Sequence, residues 1–255
     1  MLPTPSTSHV DYDRIYEPAE DSYLLLDTLS SPSEVEFLSK QFPQSEIAPL
    51  VLEVGTGSGV VLAFVTGNAG HIFGRNDVAT LGVDVNEFAC EGTIQTVQGA
   101  VKDAAAASGN PGQFLECCKG DLTSAVKPQS IDVLIFNPPY VPTEHLPILT
   151  GMNYDSAMTS SQKFERDSHL LSLSYAGGAD GMETTNRLLD ELPVVLSHRG
   201  IGYVLLCAQN RPHDVIARIQ AWTGDWTAEI VGSSGKKAGW EKLCILRIWR
   251  REPCP

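Results

Sequence analysis

The chain has 255 residues, 42% hydrophobic and 19% charged, enough apolar material for one domain with a sizeable core. Its formal net charge is −13, and the basic residues are scattered, densest at Arg247, Arg250 and Arg251. That balance disfavours DNA or RNA as the main partner, because such binding rests on Lys and Arg displacing phosphate counterions. No run approaches the roughly 18 apolar residues of a membrane span. The six cysteines, Cys90, Cys117, Cys118, Cys207, Cys244 and Cys254, form no CxxC pair. They read as reduced thiols of the cytosol or nucleus, with no metal site.

Met1–Val10 is rich in Ser, Thr and Pro and lacks the basic region and apolar run of a signal peptide. Residues 1–12 are therefore expected to be a flexible tail, and residues 13–255 a single domain. The next stretch, Glu17-Pro18-Ala19-Glu20-Asp21, places a proline and acids where a helix begins, and Tyr23–Leu29 supplies an apolar face. Ser30–Pro49 reads as irregular. Apolar, β-branched runs follow at Pro49–Val54, Thr80–Val85, Phe114–Lys119, Ile131–Phe136 and Gly202–Ala208. Helical patterns occupy Glu87–Ala107, Glu183–Ser197 and His213–Trp222, with a second irregular segment at Pro142–Ser174. Strands alternating with helices predict a doubly wound parallel sheet. Trp226–Gly232 and Lys242–Trp249, joined by the turn Ser233–Gly239 with no helix between them, predict an antiparallel C-terminal hairpin. This order resembles the seven-stranded, Rossmann-like α/β fold of class I methyltransferases.

The first strand runs into Glu53-Val54-Gly55-Thr56-Gly57-Ser58-Gly59. Glycines here let the backbone turn sharply and approach a ligand just before a helix. The spacing is GxGxG, with Val60 where a dinucleotide fingerprint has its third glycine. That favours S-adenosylmethionine, which has no pyrophosphate. Asp84 ends the second strand, where an acid can accept both ribose hydroxyls, and Asp121 follows the third, within reach of an adenine amino group. Either aspartate alone would more often be a helix cap or a solvated loop charge; three ligand-type groups at successive strand ends point to a nucleoside cofactor.

After the fourth strand comes Asn137-Pro138-Pro139-Tyr140. The Asn137 side-chain carbonyl and the Pro138 backbone carbonyl offer two acceptors to a planar NH2 group. Tyr140 offers an aromatic wall. An amide nitrogen is a weak nucleophile, its lone pair shared with the carbonyl, so two such acceptors would orient it and favour the charge that develops on it.

These residues resemble the HemK-like release-factor glutamine methyltransferases, in their eukaryotic and archaeal branch. Tyr16-Glu17-Pro18-Ala19-Glu20-Asp21-Ser22 with Leu24-Leu25-Leu26-Asp27 is similar to that branch's N-terminal signature. Leu52–Val61 and the glycine turn Ala176-Gly177-Gly178…Gly181 fit it too. The resemblance implies that Tyr16 and Ser22 contact the methionine part of S-adenosylmethionine near Glu53, Gly55, Gly57 and Gly59. Asp84 then holds the ribose, Asp121 and Leu122 hold the adenine, and Asn137–Tyr140 hold the acceptor, with Asn137 also beside the cofactor. It implies as substrate the glutamine of the Gly-Gly-Gln motif in the class 1 termination factor, with a histone lysine as the alternative acceptor. A small zinc-binding activator protein completes the family's heterodimer. An adenine-amino nucleic-acid methyltransferase shares the four-residue motif, but would need a basic face and a target-recognition insert. The third strand, Phe114-Leu115-Glu116-Cys117-Cys118, is expected at a sheet edge, poorly defended against pairing, and is the expected site of the activator.

Overall fold

The computed structural model describes residues 2–107, 109–148, 158–235 and 242–251. Seven strands form one sheet: β1 (Leu50–Val54), β2 (Ala79–Asp84), β3 (Gln113–Lys119), β4 (Ile131–Phe136), β5 (Leu196–Cys207), β6 (Trp226–Ser233) and β7 (Leu243–Arg250). Their order is β3-β2-β1-β4-β5-β7-β6. The first five pair in parallel and the last two close the sheet antiparallel. The α-helices are α1 (Glu20–Leu29), α2 (Pro32–Gln41), α3 (Val60–Gly67), α4 (Ala69–Ile72), α5 (Glu87–Ala106), α6 (Ser160–Tyr175), α7 (Glu183–Val195) and α8 (Pro212–Gln220).

The two-residue period of the strands divides the core. Val51, Val133, Ile135, Ile201, Tyr203 and Leu205 face α1–α4, whereas Leu52, Leu134, Phe136, Val204 and Leu206 face α7 and α8. Both sets are almost wholly buried, which is why these strands read as continuous apolar runs.

Several expected boundaries are corrected. The segment read as irregular after α1 contains α2. Its signal is capping rather than periodicity: the Ser31 side chain accepts from the Glu34 N–H and Pro32 opens the helix. The second irregular segment contains α6, opened by a Thr159–Gln162 capping box. Only Leu170 of this polar helix is fully buried, so no apolar stripe announces it. Residues 149–157 and 236–241, the latter overlapping the expected turn Ser233–Gly239, lie outside the described residues.

β5 begins six residues before the expected Gly202, and α7 stops at Val195 rather than Ser197. The polar start of β5 finds its partner on β4: Asp132 accepts from Ser197 Oγ at 2.7 Å and from Arg199 Nε at 3.0 Å. At the N-terminus, the stretch expected as a tail touches α5. Val10 packs with Ile15 and Ala89, and His9 Nε2 lies 3.2 Å from the Gly92 carbonyl.

Candidate active site

A cavity opens at the carboxyl ends of β1, β2, β3 and β4, the edge at which open α/β sheets bind ligands. Eleven of the sequence-expected residues line it: Tyr16, Ser22, Glu53, Gly55, Gly57, Asp84, Asp121, Leu122, Asn137, Pro138 and Pro139. Gly59 and Tyr140 do not.

Gly55, Gly57 and Gly59 all have positive φ, +67°, +53° and +77°, so the turn after β1 needs glycine for its backbone alone. Gly59 has a further reason. A Cβ there would stand 2.6 Å from the Thr93 Cα, so this glycine lets α3 pack on α5 rather than touching a ligand. Gly57 donates its N–H to Asp84 Oδ2 at 2.9 Å, and Asn86 N–H donates to Oδ1 at 2.8 Å. The amide that could cradle a phosphate is thus taken by a carboxylate, against a dinucleotide cofactor.

Glu53 is buried at the end of β1, and its Oε2 accepts the Leu62 N–H at 2.8 Å. Burial holds its carboxyl well above the ordinary value; the Leu62 N–H opposes this and nearby Asp84 adds to it. Burial also raises Asp84, against the pull of the Asn86, Gly57 and Val85 N–H groups. Two buried carboxyl groups thus stand side by side on the cavity wall. The lining arginines are already engaged, Arg14 with Asp11 at 3.0 Å and Arg187 with Asp121 at 2.6 Å. Asp121, expected at the adenine, is therefore ion-paired from α7. Leu122 adopts φ +49°, an unusual conformation for a leucine, with its side chain buried against Val83.

The Asn137–Tyr140 motif leaves β4 under restraint. Asn137 Oδ1 is buried with no hydrogen-bond partner. A Cβ on Gly177 would fall 2.5 Å from the Pro139 carbonyl oxygen, and one on Gly181 2.0 Å from that of Tyr140. The glycine turn after α6 therefore exists to let the backbone close on the motif. Asn210 Nδ2 donates to the Tyr140 carbonyl at 3.4 Å and to that of Asp180 at 3.0 Å, joining motif and turn. The Tyr140 ring, expected as a wall of the pocket, packs against the core beside α1, and its hydroxyl donates to Asp21 Oδ2 at 3.4 Å.

Sequence reasoning passed over Asn210, Arg187 and Asp21 as site residues. Asp21 lay within the quoted N-terminal signature, the one signal available; Asn210 and Arg187 carried none. Leu146, Pro147, Leu170, Leu173 and Ser174 also line the cavity, so α6 forms part of its wall.

This strand order, with its antiparallel C-terminal hairpin, is the class I methyltransferase fold. A Listeria monocytogenes structure described as a class I S-adenosylmethionine-dependent methyltransferase has the same fold, with TM-score 0.50 at 13% identity, over 94% of this chain and 65% of that one. No family model matches the chain. The chain is 30% identical to the eRF1 methyltransferase catalytic subunit mtq2 of Schizosaccharomyces pombe, over 98% of this chain and 96% of that protein. It is 28% identical to the human methyltransferase HEMK2, over 96% and 95% of the two chains. The protein belongs to the HemK-like methyltransferase family, in its eukaryotic branch.

Proposed function

We propose that the protein is an S-adenosylmethionine-dependent methyltransferase acting on the side-chain amide of the glutamine in the Gly-Gly-Gln motif of the class 1 termination factor. The observation that carries this reading is the orphaned Asn137 Oδ1, a buried acceptor on the cavity wall. Buried acceptors normally have partners, so one left open in a cleft marks the place of a ligand donor. With the neighbouring Pro138 carbonyl it presents two acceptors to the two N–H groups of a primary amide.

Tyr16, Ser22, Glu53, Gly55 and Gly57 would hold the methionine part of the cofactor, Asp84 its ribose, and Asp121 and Leu122 its adenine. The cofactor supplies an electrophilic methyl group on a sulfonium. Asn137 and Pro138 fix the amide plane and polarise its N–H bonds, so that nitrogen regains lone-pair density toward the methyl. Pro138 and Pro139 keep the acceptor geometry from relaxing, and Leu170 and Leu173 of α6 add apolar wall to the cleft. The second subunit is a small zinc-binding activator that adds at β3, and the complex acts in the cytosol, extending to the nucleus. No helix among the described residues is long and apolar enough to cross a membrane.

Mass spectrometry of the termination factor after incubation with enzyme, cofactor and activator tests the reading. A 14-dalton gain on the motif glutamine is expected, this being the mass of one added CH2. Asn137→Ala should lower kcat at least 100-fold, in the range of a lost preorganised hydrogen-bonding group, with cofactor affinity unchanged within about threefold. Methylation confined to another residue, or a mutant that keeps most of its turnover, would sink it.

A further inference from the structure

Asp21 is a buried carboxylate, 3% exposed, on the wall of the cavity. Its partners are all neutral donors. Oδ1 accepts from the Ser22 N–H at 2.6 Å and from Ser22 Oγ at 3.2 Å, and Oδ2 from the Tyr140 hydroxyl at 3.4 Å. Every cation–carboxylate pair among the described residues involves other acids. Asp21 stands in the first turn of α1, its carboxyl turned to the cavity wall. A buried carboxyl group that lines a cleft and meets no cation of its own chain is placed to face one that a ligand supplies.

Its position separates it from the other two buried acids. Glu53 and Asp84 close the turns after β1 and β2 through the N–H groups of Leu62, Gly57 and Asn86. Asp21 alone of the three is hydrogen-bonded to the Asn137–Tyr140 motif, through the Tyr140 hydroxyl. With Ser22 assigned to the methionine part of the cofactor as proposed above, it stands on the cavity wall between that end and the motif.

We propose that Asp21 is the counter-charge of the transfer centre, facing a sulfonium before the reaction and the methylated nitrogen after it. This rests on the reading above. The amide nitrogen donates its lone pair to form the N–C bond as the C–S bond breaks. The bonding pair stays on sulfur, leaving a neutral thioether. One positive charge thus moves from sulfur to nitrogen, and a proton then leaves nitrogen for the Asp21 carboxylate. Asn137 and the Pro138 carbonyl, both amides, cannot take that proton.

Titration calorimetry tests the charge without any acceptor. S-Adenosylmethionine is cationic at sulfur and S-adenosylhomocysteine is neutral there, so the ratio of their affinities reads the counter-charge. Asp21→Asn keeps the shape and the oxygen that accepts from Ser22, and presents an NH2 that the Tyr140 hydroxyl can meet as an acceptor; it should lower that ratio at least fivefold while S-adenosylhomocysteine binding stays within twofold. Glu20→Gln, an exposed acid of the same turn, should leave the ratio unchanged. Should Asp21→Asn not fold, Asp21→Ser serves as the second variant. An unchanged ratio, or equal loss for both ligands, overturns the proposal. Wild-type protein that binds both ligands but methylates no termination-factor glutamine sinks the earlier reading and leaves the ratio to decide this one. Wild-type protein that binds neither overturns both.

Discussion

Glu53 closes the first turn of α3 through the Leu62 N–H and faces the cavity, and burial holds its carboxyl well above its ordinary value. Two consequences have opposite signs. For folding, a carboxyl raised in the native state favours the fold in its protonated form; that contribution is complete below the unfolded value and is lost as pH rises through the folded one. For a cationic cofactor the ionised form is needed, so affinity falls as pH drops through the raised value. Calorimetry between about pH 5 and 8 should show S-adenosylmethionine affinity declining toward the acid end, beginning above the ordinary carboxylate range. Glu53→Gln should bind weakly with that dependence removed. A flat wild-type profile would place the ammonium elsewhere.

Helix α2 illustrates how an element without a clear apolar stripe is held. Glu34 is buried; it accepts from Arg247 Nη1 on β7 at 2.8 Å and from the Tyr203 hydroxyl on β5 at 2.7 Å. The Arg247 guanidinium lies over the Phe37 ring at 3.7 Å and the Trp249 ring at 4.6 Å. Burial, with Glu34 beside it, pushes the Tyr203 hydroxyl well above its ordinary value and keeps it a donor. Removing Glu34 leaves the Tyr203 hydroxyl buried without that acceptor and Arg247 with only the exposed Glu229, at 3.3 Å. Glu34→Ala should cost about 3–5 kcal/mol in denaturant unfolding, whereas a loss under about 1 kcal/mol would show α2 to be held by its apolar contacts alone. Arg247 lay in what the sequence offered as its densest basic cluster; the structure turns it inward.

Across the whole molecule, the sheet order leaves β3 at one edge, with Leu115 55% exposed. Cys117 points under the sheet beside Gly82, so the outward side chains are the ones to vary. Leu115→Lys should leave monomer stability within about 0.5 kcal/mol, as for surface changes away from special features, yet weaken assembly with the activator at least tenfold in co-purification or sedimentation. Undiminished assembly would move the interface off this edge.

The sequence by itself determined the strand ends and the groups they carry: Glu53 and the glycines after β1, Asp84 after β2, Asp121 and Leu122 after β3, Asn137 after β4. Each is a local statement, because an apolar run stops where the chain leaves the sheet, and the residue there faces the ligand edge. The capped helices α2 and α6 were half legible, through capping residues without a periodic face. What tertiary structure decided are contacts between residues far apart in the chain. Asp21 meets Tyr140 across 119 positions, and Asn210 ties the Tyr140 carbonyl to the glycine turn. The last glycine of the GxGxG run answers to Thr93. No spacing rule reaches such pairs, since their meeting depends on how the helices pack over the sheet.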